Sequence, residues 1–304
     1  MTPTVTDKRV LVTGGAGFIG SHIADALCPA NEVRILDSFV GGDRSNCPDE
    51  ATIIEGDIRD ESTLATAIDG VDIVFHQGAI VSVAKSVDDP ATSHAVNVDG
   101  TLAVLEAARR ENARVVFASS AAIYGVPESL PVAETAPKEP TSPYGLDKLS
   151  GDHYCRLYAE LYDLPTVALR YFNVYGPRQS GGDYAGAITA FTEQARAGDQ
   201  LTVQGEGTQT RDFVNIADVV QANLLAATTE ATGEAFNIGT GVATTINDVA
   251  ETVRDRIAPS AEISHVDPRQ GDIRDSVADI QKAETLLGYE PTVSLADGLE
   301  RYLS

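Results

Sequence analysis

The 304-residue sequence has no tryptophan, one methionine and three cysteines, and each scarcity excludes something. Cys28, Cys47 and Cys155 are too few and too scattered for a disulfide framework or a zinc site, so buried free thiols and no bound metal are expected. No apolar run approaches the ~20 residues that span a bilayer. The first residues, MTPTVTDKRV, lack the apolar core of a signal peptide. A cytoplasmic location without a membrane partner is the expectation. Positive charge is also scarce. Lysine occurs five times, and 22 basic residues face 45 acidic ones, for a net charge of -23. Nucleic acid needs a cationic surface and is therefore not an expected partner. The acidity is spread along the chain, as suits a self-repelling surface that salt must screen. A halophilic source would explain it; ordinary acidity that aids solubility is the alternative.

What is present is a chain 43% hydrophobic, long enough for one large or two smaller domains. Short runs rich in Val and Ile recur at Arg9–Thr13, Glu32–Asp37, Thr52–Glu55, Val71–His76, Arg114–Ser119 and Thr166–Arg170. They are continuous rather than alternating, which marks strands buried on both faces. Helical patterns separate them at Phe18–Leu27, Ser62–Ile68, Thr101–Arg110 and Tyr144–Leu161. That alternation predicts an α/β fold with a doubly wound parallel sheet. Beyond Asn173 the pattern is irregular, with helices expected near Asp218–Ala227 and Ile246–Ile257.

The segment VLVTGGAGFIGSHIA joins the first strand to the first helix. Its glycines read as Gly14-x-x-Gly17-x-x-Gly20 or as Gly15-x-Gly17-x-x-Gly20, and the chemistry is the same. Glycine allows a tight turn and a close backbone approach to a pyrophosphate, which rests on the helix amides opened by Phe18 and Ile19. Asp37 ends the second strand, twenty residues after Gly17. A carboxylate there accepts both ribose hydroxyls and repels a 2′-phosphate, so NAD is expected rather than NADP. Asp57-Ile58 and Gly78-Ala79 close the next two strands, at the sheet edge where ligands gather. Asp57 and Ile58 are expected beside the adenine, Gly78 and Ala79 beside the pyrophosphate.

In TSPYGLDKLSG, Ser142 suits an N-cap and Pro143 the first helical position. Tyr144 and Lys148 then stack on one helix face. An ammonium beside a phenol lowers the tyrosine pKa from ~10, and such a tyrosine can act as general base on a sugar hydroxyl. A Tyr-x-x-x-Lys pair arises by chance on many helices. Here it follows FASSAAIYG, with two serines at a strand end, and a loop containing Pro127, Pro131, Pro137 and Pro140 that is too long for a mere connection.

Together with RYFNVYGPR at 170–178, GTQTRDFVNIAD at 207–218 and RQGDIRDSVAD at 269–279, these motifs resemble the extended short-chain dehydrogenases over essentially the whole chain. The likeness is to the nucleotide-sugar epimerases and dehydratases, in particular those acting on UDP-glucose or UDP-N-acetylglucosamine. The resemblance implies a Rossmann-type NAD-binding domain over 1–173, onto which 211–229 pack back. It implies a smaller nucleotide-sugar-binding domain over 174–304 and a homodimer paired through two long helices. It adds Asn97 and Phe172 to the NAD contacts of Tyr144 and Lys148. It makes Ser120 the catalytic hydroxyl and Ser119 structural. Ser82, Asn173, Arg178, Arg211 and Arg269 fall to the UDP-sugar, with Asn173 and the two later arginines at its diphosphate. Ser276 falls at a gate where the family carries either a tyrosine or a small residue.

Dehydratases of this family place an Asp-Glu pair after the catalytic hydroxyl, and decarboxylases a Glu in the second place. Expelling water needs an acid and a base there. Ala121 and Ala122 supply neither, so 4-epimerisation of a UDP-hexose is the expected reaction. Two departures stand out: Arg-Gln-Gly-Asp replaces the family's Arg-Pro-Gly-Asp, and Val81 stands where some relatives carry a lysine. A catalytically silent NAD-binding regulator and a dehydrogenase that exchanges its cofactor are the rival readings.

Overall fold

The computed structural model describes residues 4–179, 186–268 and 273–303. β1 (Arg9–Thr13), α1 (Phe18–Leu27), β2 (Glu32–Asp37), β3 (Thr52–Glu55), α2 (Glu61–Ile68) and β4 (Ile73–His76) open the chain. Two short helices, α3 (Val83–Asp88) and α4 (Pro90–His94), lead through a π-helical turn into α5 (Gly100–Glu111). β5 (Arg114–Ser120), α6 (Pro143–Tyr162) and β6 (Thr166–Tyr171) follow. The second part holds β7 (Asn173–Tyr175), α7 (Ala187–Ala197), β8 (Leu201–Gln204), β9 (Thr210–Arg211), β10 (Phe213–Asn215), α8 (Ile216–Thr228) and β11 (Glu234–Ile238). β12 (Thr244–Thr245), α9 (Ile246–Ile257), β13 (Ile263–Val266), β14 (Asp275–Ser276), α10 (Gln281–Leu287) and α11 (Leu295–Leu303) end it.

Seven parallel strands form the main sheet in the order β3-β2-β1-β4-β5-β6-β11. The order reverses between β1 and β4, which opens a crevice at their carboxyl ends. Apolar residues cover both faces, as the continuous Val and Ile runs require. Val12 and Ile35 pack with Ile23 of α1 and with Val219, Ala222 and Ala226 of α8 on one side. Leu11 and Val74 pack with Leu64, Leu105 and Cys155 on the other. A separate cluster of Tyr175, Phe191, Val203, Val249 and Leu299 holds the smaller part together.

The helices expected along the first half are present within a residue or two, and α9 spans Ile246–Ile257 as expected. β11 was not apparent in the sequence. It is a short edge strand of five residues, and its partner β6 lies far back along the chain. The return to the first part therefore runs past residue 229 to Ile238. The three cysteines are free. Among the described residues no helix is long and apolar enough to cross a membrane, and no group of three His, Cys, Asp or Glu side chains could hold a metal ion.

Candidate active site

The turn from β1 into α1 is shaped by what cannot fit there. Gly14 has φ of +67°, and a Cβ on it would sit 2.7 Å from the Gly78 Cα. A Cβ on Gly20 would strike the Gly14 carbonyl. Gly15 and Gly17 lie between them, and Gly17 is an extended N-cap with no side-chain hydrogen bond to the helix. The first-turn amides of α1, at Phe18, Ile19 and Gly20, therefore meet no side-chain cap. That is the arrangement that takes a phosphate.

Asp37 is buried at the end of β2. Its Oδ2 accepts from the Ala16 amide at 2.9 Å and its Oδ1 from the Phe39 amide at 2.8 Å. A carboxylate offers about four lone-pair sites, so two remain for a pair of hydroxyls. Arg44, in the next loop, pairs with Glu55 at 2.8 Å and stacks on Phe39, so its charge is already engaged. These features fit NAD, and the Asp37 carboxylate would repel a 2′-phosphate. Asp57 is gripped by Arg59 at 2.9 and 2.6 Å, which together with the Arg59 amide holds its carboxyl below the usual range. Ile58 is buried against Gly100. Gly78 and Ala79 follow β4, half-buried beside the Gly14 turn.

Three groups meet at the end of β5. Ser142 caps α6, accepting from the Gly145 amide at 3.1 Å, and Pro143 occupies the first turn. The Tyr144 backbone amide donates to Ser86 Oγ at 3.0 Å, which ties α6 to α3. Its phenol is close enough to the Ser120 side chain for the hydroxyl to favour the phenolate. The Ser120 hydroxyl also accepts from the Ala122 amide at 3.2 Å. Lys148, one helical turn on, is buried and donates from Nζ to the Ala118 carbonyl at 2.8 Å. Ala121 and Ala122 form the short 3-10 turn behind Ser120, and neither carries a group that could move a proton.

One expectation needs correcting. The Tyr144 pKa is raised, not lowered: burial raises it, and only the nearby Ser120 hydroxyl opposes. The Lys148 ammonium is 6.0 Å from the phenol ring and spends a proton on Ala118. Burial brings Lys148 itself down to about 8. Spacing along a helix put the two side chains on one face, but desolvation outweighs their mutual charge effect in the protein alone.

The site rests on a buried ion pair that was not read from the sequence. Arg170 of β6 binds Asp152 of α6 through Nε at 2.8 Å and Nη2 at 2.9 Å, with the side chains 1% and 0% exposed. Ser119 Oγ donates to the same carboxylate at 3.0 Å, which makes it structural. Arg170 also donates to the Tyr124 phenol at 2.9 Å, and that phenol donates to Asn237 of β11 at 2.7 Å. Asp152 lies one turn beyond Lys148, so the pair fixes the height and rotation of the catalytic helix. Its sequence signal was an arginine inside the apolar strand TVALRY, since a charge there demands a partner.

On the substrate side, Arg211 and Ser276 are register partners in neighbouring strands β9 and β14. The Arg211 guanidinium donates to the carbonyls of Thr210 and Ile273 at 2.7 Å each and of Arg274 at 3.2 Å. Ser276 is buried. Asp212 sits between these pieces with no exposure, and sequence reasoning missed it. It accepts from Thr240 N and Oγ1, Gly241 N and Ala278 N at 2.8 to 3.1 Å. Asn173 is exposed where β7 begins. Arg269 lies outside the described residues.

Four expected contacts have other partners here. Arg178, at φ of +67°, pairs with Asp25 of α1 at 2.7 Å and not with the substrate strands. Asn97 is turned onto the Ile80 backbone, 2.8 and 3.0 Å away, so it shapes the crevice wall. Phe172 is buried in a cluster with Ile123, Tyr124, Val132 and Ala278. Ser82 caps α3, accepting from the Lys85 amide at 3.1 Å.

Comparison with known proteins agrees with this geometry. The model of the NAD-dependent epimerase/dehydratase family matches residues 10–239. The UDP-glucose 4-epimerase of Mycolicibacterium smegmatis is 37% identical over 302 residues, covering 96% of both chains. The solved UDP-glucose 4-epimerase of Thermotoga maritima, with UDP-glucose, is 39% identical at a TM-score of 0.94 and 97% coverage of each chain. The UDP-N-acetylglucosamine 4-epimerase of Methanobrevibacter ruminantium, in complex with UDP-N-acetylmuramic acid, is 36% identical at a TM-score of 0.93, covering 98% of this chain and 96% of that one. By its motifs, its fold and these likenesses, the chain belongs to the NAD-dependent epimerase/dehydratase family.

Proposed function

We propose that this protein is an NAD-dependent UDP-hexose 4-epimerase that interconverts UDP-glucose and UDP-galactose. The observation that carries the reading is Tyr144 and a buried Lys148 on one face of α6 at the Ser120 end of β5, with Ala121 and Ala122 where dehydration would need an acid and a base. Ser120 and Tyr144 hold the hydroxyl on carbon 4, and Tyr144 takes its proton and later returns it. NAD, held by the Gly14–Gly20 turn and Asp37, would supply the hydride acceptor and donor for carbon 4, and its positive ring would oppose the rise that burial gives the Tyr144 pKa. Lys148 adds a second positive charge beneath the phenol. Asn173, Arg211 and Arg269 are assigned to the diphosphate, where cations must offset an acidic protein.

Ser276 leaves room beside carbon 2 that a tyrosine would fill, so the N-acetylated sugar pair is also assigned as substrate. We read 1–173 with 211–238 as the cofactor unit, the rest of 174–304 as the sugar-nucleotide unit, and a cytoplasmic homodimer as the working form. The test is to assay the purified protein on UDP-galactose with no NAD added. Turnover supports the epimerase. A strict need for added NAD(H) favours the exchanging dehydrogenase, and inactivity despite bound NAD favours the silent regulator.

A further inference from the structure

His76 closes β4 with 1% exposure, and the chemistry above gives it no part. Its ring lies between two threonines: Nδ1 is 2.7 Å from Thr13 Oγ1, and Nε2 is 3.0 Å from Thr101 Oγ1. What each end can do sets the direction of the bonds. Thr101 Oγ1 is 2.6 Å from the Asn97 carbonyl, which can only accept, so Thr101 donates its one proton there. Its oxygen must then accept from His76, which places the imidazole proton on Nε2. Burial keeps the ring neutral, with the Lys148 charge pushing the same way, so Nδ1 holds a lone pair and accepts the Thr13 hydroxyl. The Thr13 oxygen accepts the Gly78 amide at 3.2 Å.

Every donor in this chain points one way, from the Gly78 amide to the Asn97 carbonyl. The two ends grip the same short stretch. Thr13 holds the Gly78 amide, while the Asn97 side chain holds both the amide and the carbonyl of Ile80. Gly78 is also where a side chain on Gly14 would collide. That is a close approach between the two strand ends, at the switch point where a dinucleotide backbone passes.

We propose that His76, in its Nε2–H tautomer, is a positioning residue for NAD: through Thr13 it sets the spacing between the Gly14 and Gly78 turns. This rests on NAD binding alone and not on which sugar is turned over. Two substitutions divide its two bonds. In His76→Asn, Oδ1 stands where Nδ1 stood and still accepts from Thr13. In His76→Gln, the amide reaches the Nε2 position and can donate to Thr101, but Thr13 loses its acceptor. NAD release, followed by exchange against labelled NAD, should be on the order of tenfold faster in His76→Gln and within about threefold of the parent in His76→Asn. A residue that merely fills the core would give both variants the same change, and that result overturns the proposal. If His76→Gln does not fold, Thr13→Val removes the link altogether, both the bond to His76 and the acceptor of the Gly78 amide, and should speed release at least as much. Release unchanged in Thr13→Val also overturns it. Nitrogen-15 spectra of histidine-labelled protein, which has five histidines, should show a neutral ring with a bare Nδ1 and a protonated Nε2 that is missing from the His76→Asn spectrum. Absence of that ring, or the opposite tautomer, refutes the assignment whatever the enzyme's activity.

Discussion

Replacing Asp152 with asparagine removes one charge from the centre of the fold and almost nothing else. The shape is kept, and Ser119 keeps an acceptor, but Arg170 loses the carboxylate that binds it at 2.8 and 2.9 Å. With 1% of its side chain exposed, Arg170 cannot turn to water. The Tyr124 phenol and the Glu134 carbonyl, at 2.9 and 3.1 Å, are neutral partners and do not replace a charge. Breaking a buried pair from one side costs about 3–5 kcal/mol, a large share of the ~5–15 kcal/mol that holds a domain folded. At roughly 2 °C per kcal/mol for a chain of this size, the melting temperature at pH 7 should fall by about 6–10 °C. Asp152→Leu combined with Arg170→Met removes both charges and should recover most of that loss. Burial opposes ionisation of Asp152, yet Arg170 and Ser119 hold its pKa below the usual value. The pair's contribution is therefore complete above the unfolded carboxyl pKa of ~3.9 and is lost as pH falls through the folded one. The parent's advantage over Asp152→Asn should narrow below about pH 4. Thermal melts followed by circular dichroism read all of this. An Asp152→Asn melt within 2 °C of the parent, or a double variant no better than the single, would refute the account.

Tyr144→Phe and Lys148→Ala should each lower kcat by at least the ~10² expected for loss of a general base, with unchanged folding by circular dichroism; near-normal turnover in either would remove the assigned role. Ser276→Tyr should abolish use of UDP-N-acetylglucosamine while sparing UDP-glucose, measured as kcat/KM for each. Rejection of the acetylated sugar by the parent, or its acceptance by the variant, shows that Ser276 is not the gate. With a net charge of -23, melting temperature should climb from low to molar KCl as self-repulsion is screened, and a flat salt response contradicts a halophilic origin. His76, brought down to about 3 by burial, is neutral when folded and protonated when unfolded between that value and ~6.5. Stability should therefore rise with pH across this window, and more steeply in the parent than in His76→Asn when denaturant unfolding is compared at pH 5 and 6.5.

What the sequence determined by itself was whatever depends on neighbours along the chain. The glycine turn, the Ser142 cap, Tyr144 and Lys148 on one helix face, and Asp37 at a strand end all follow from local geometry. So does the absence of carboxylates at Ala121 and Ala122, which narrows the reaction. The tertiary structure decided whatever depends on partners far apart in sequence: Arg170 with Asp152 and Tyr124, His76 between Thr13 and Thr101, Asp212 with the Thr240–Gly241 turn and Ala278, and β11 beside β6. It also reversed the Tyr144 pKa and turned Arg178 toward Asp25. Motif spacing records which groups share a face. Desolvation and the choice among competing hydrogen-bond partners arise only when the chain has closed around them.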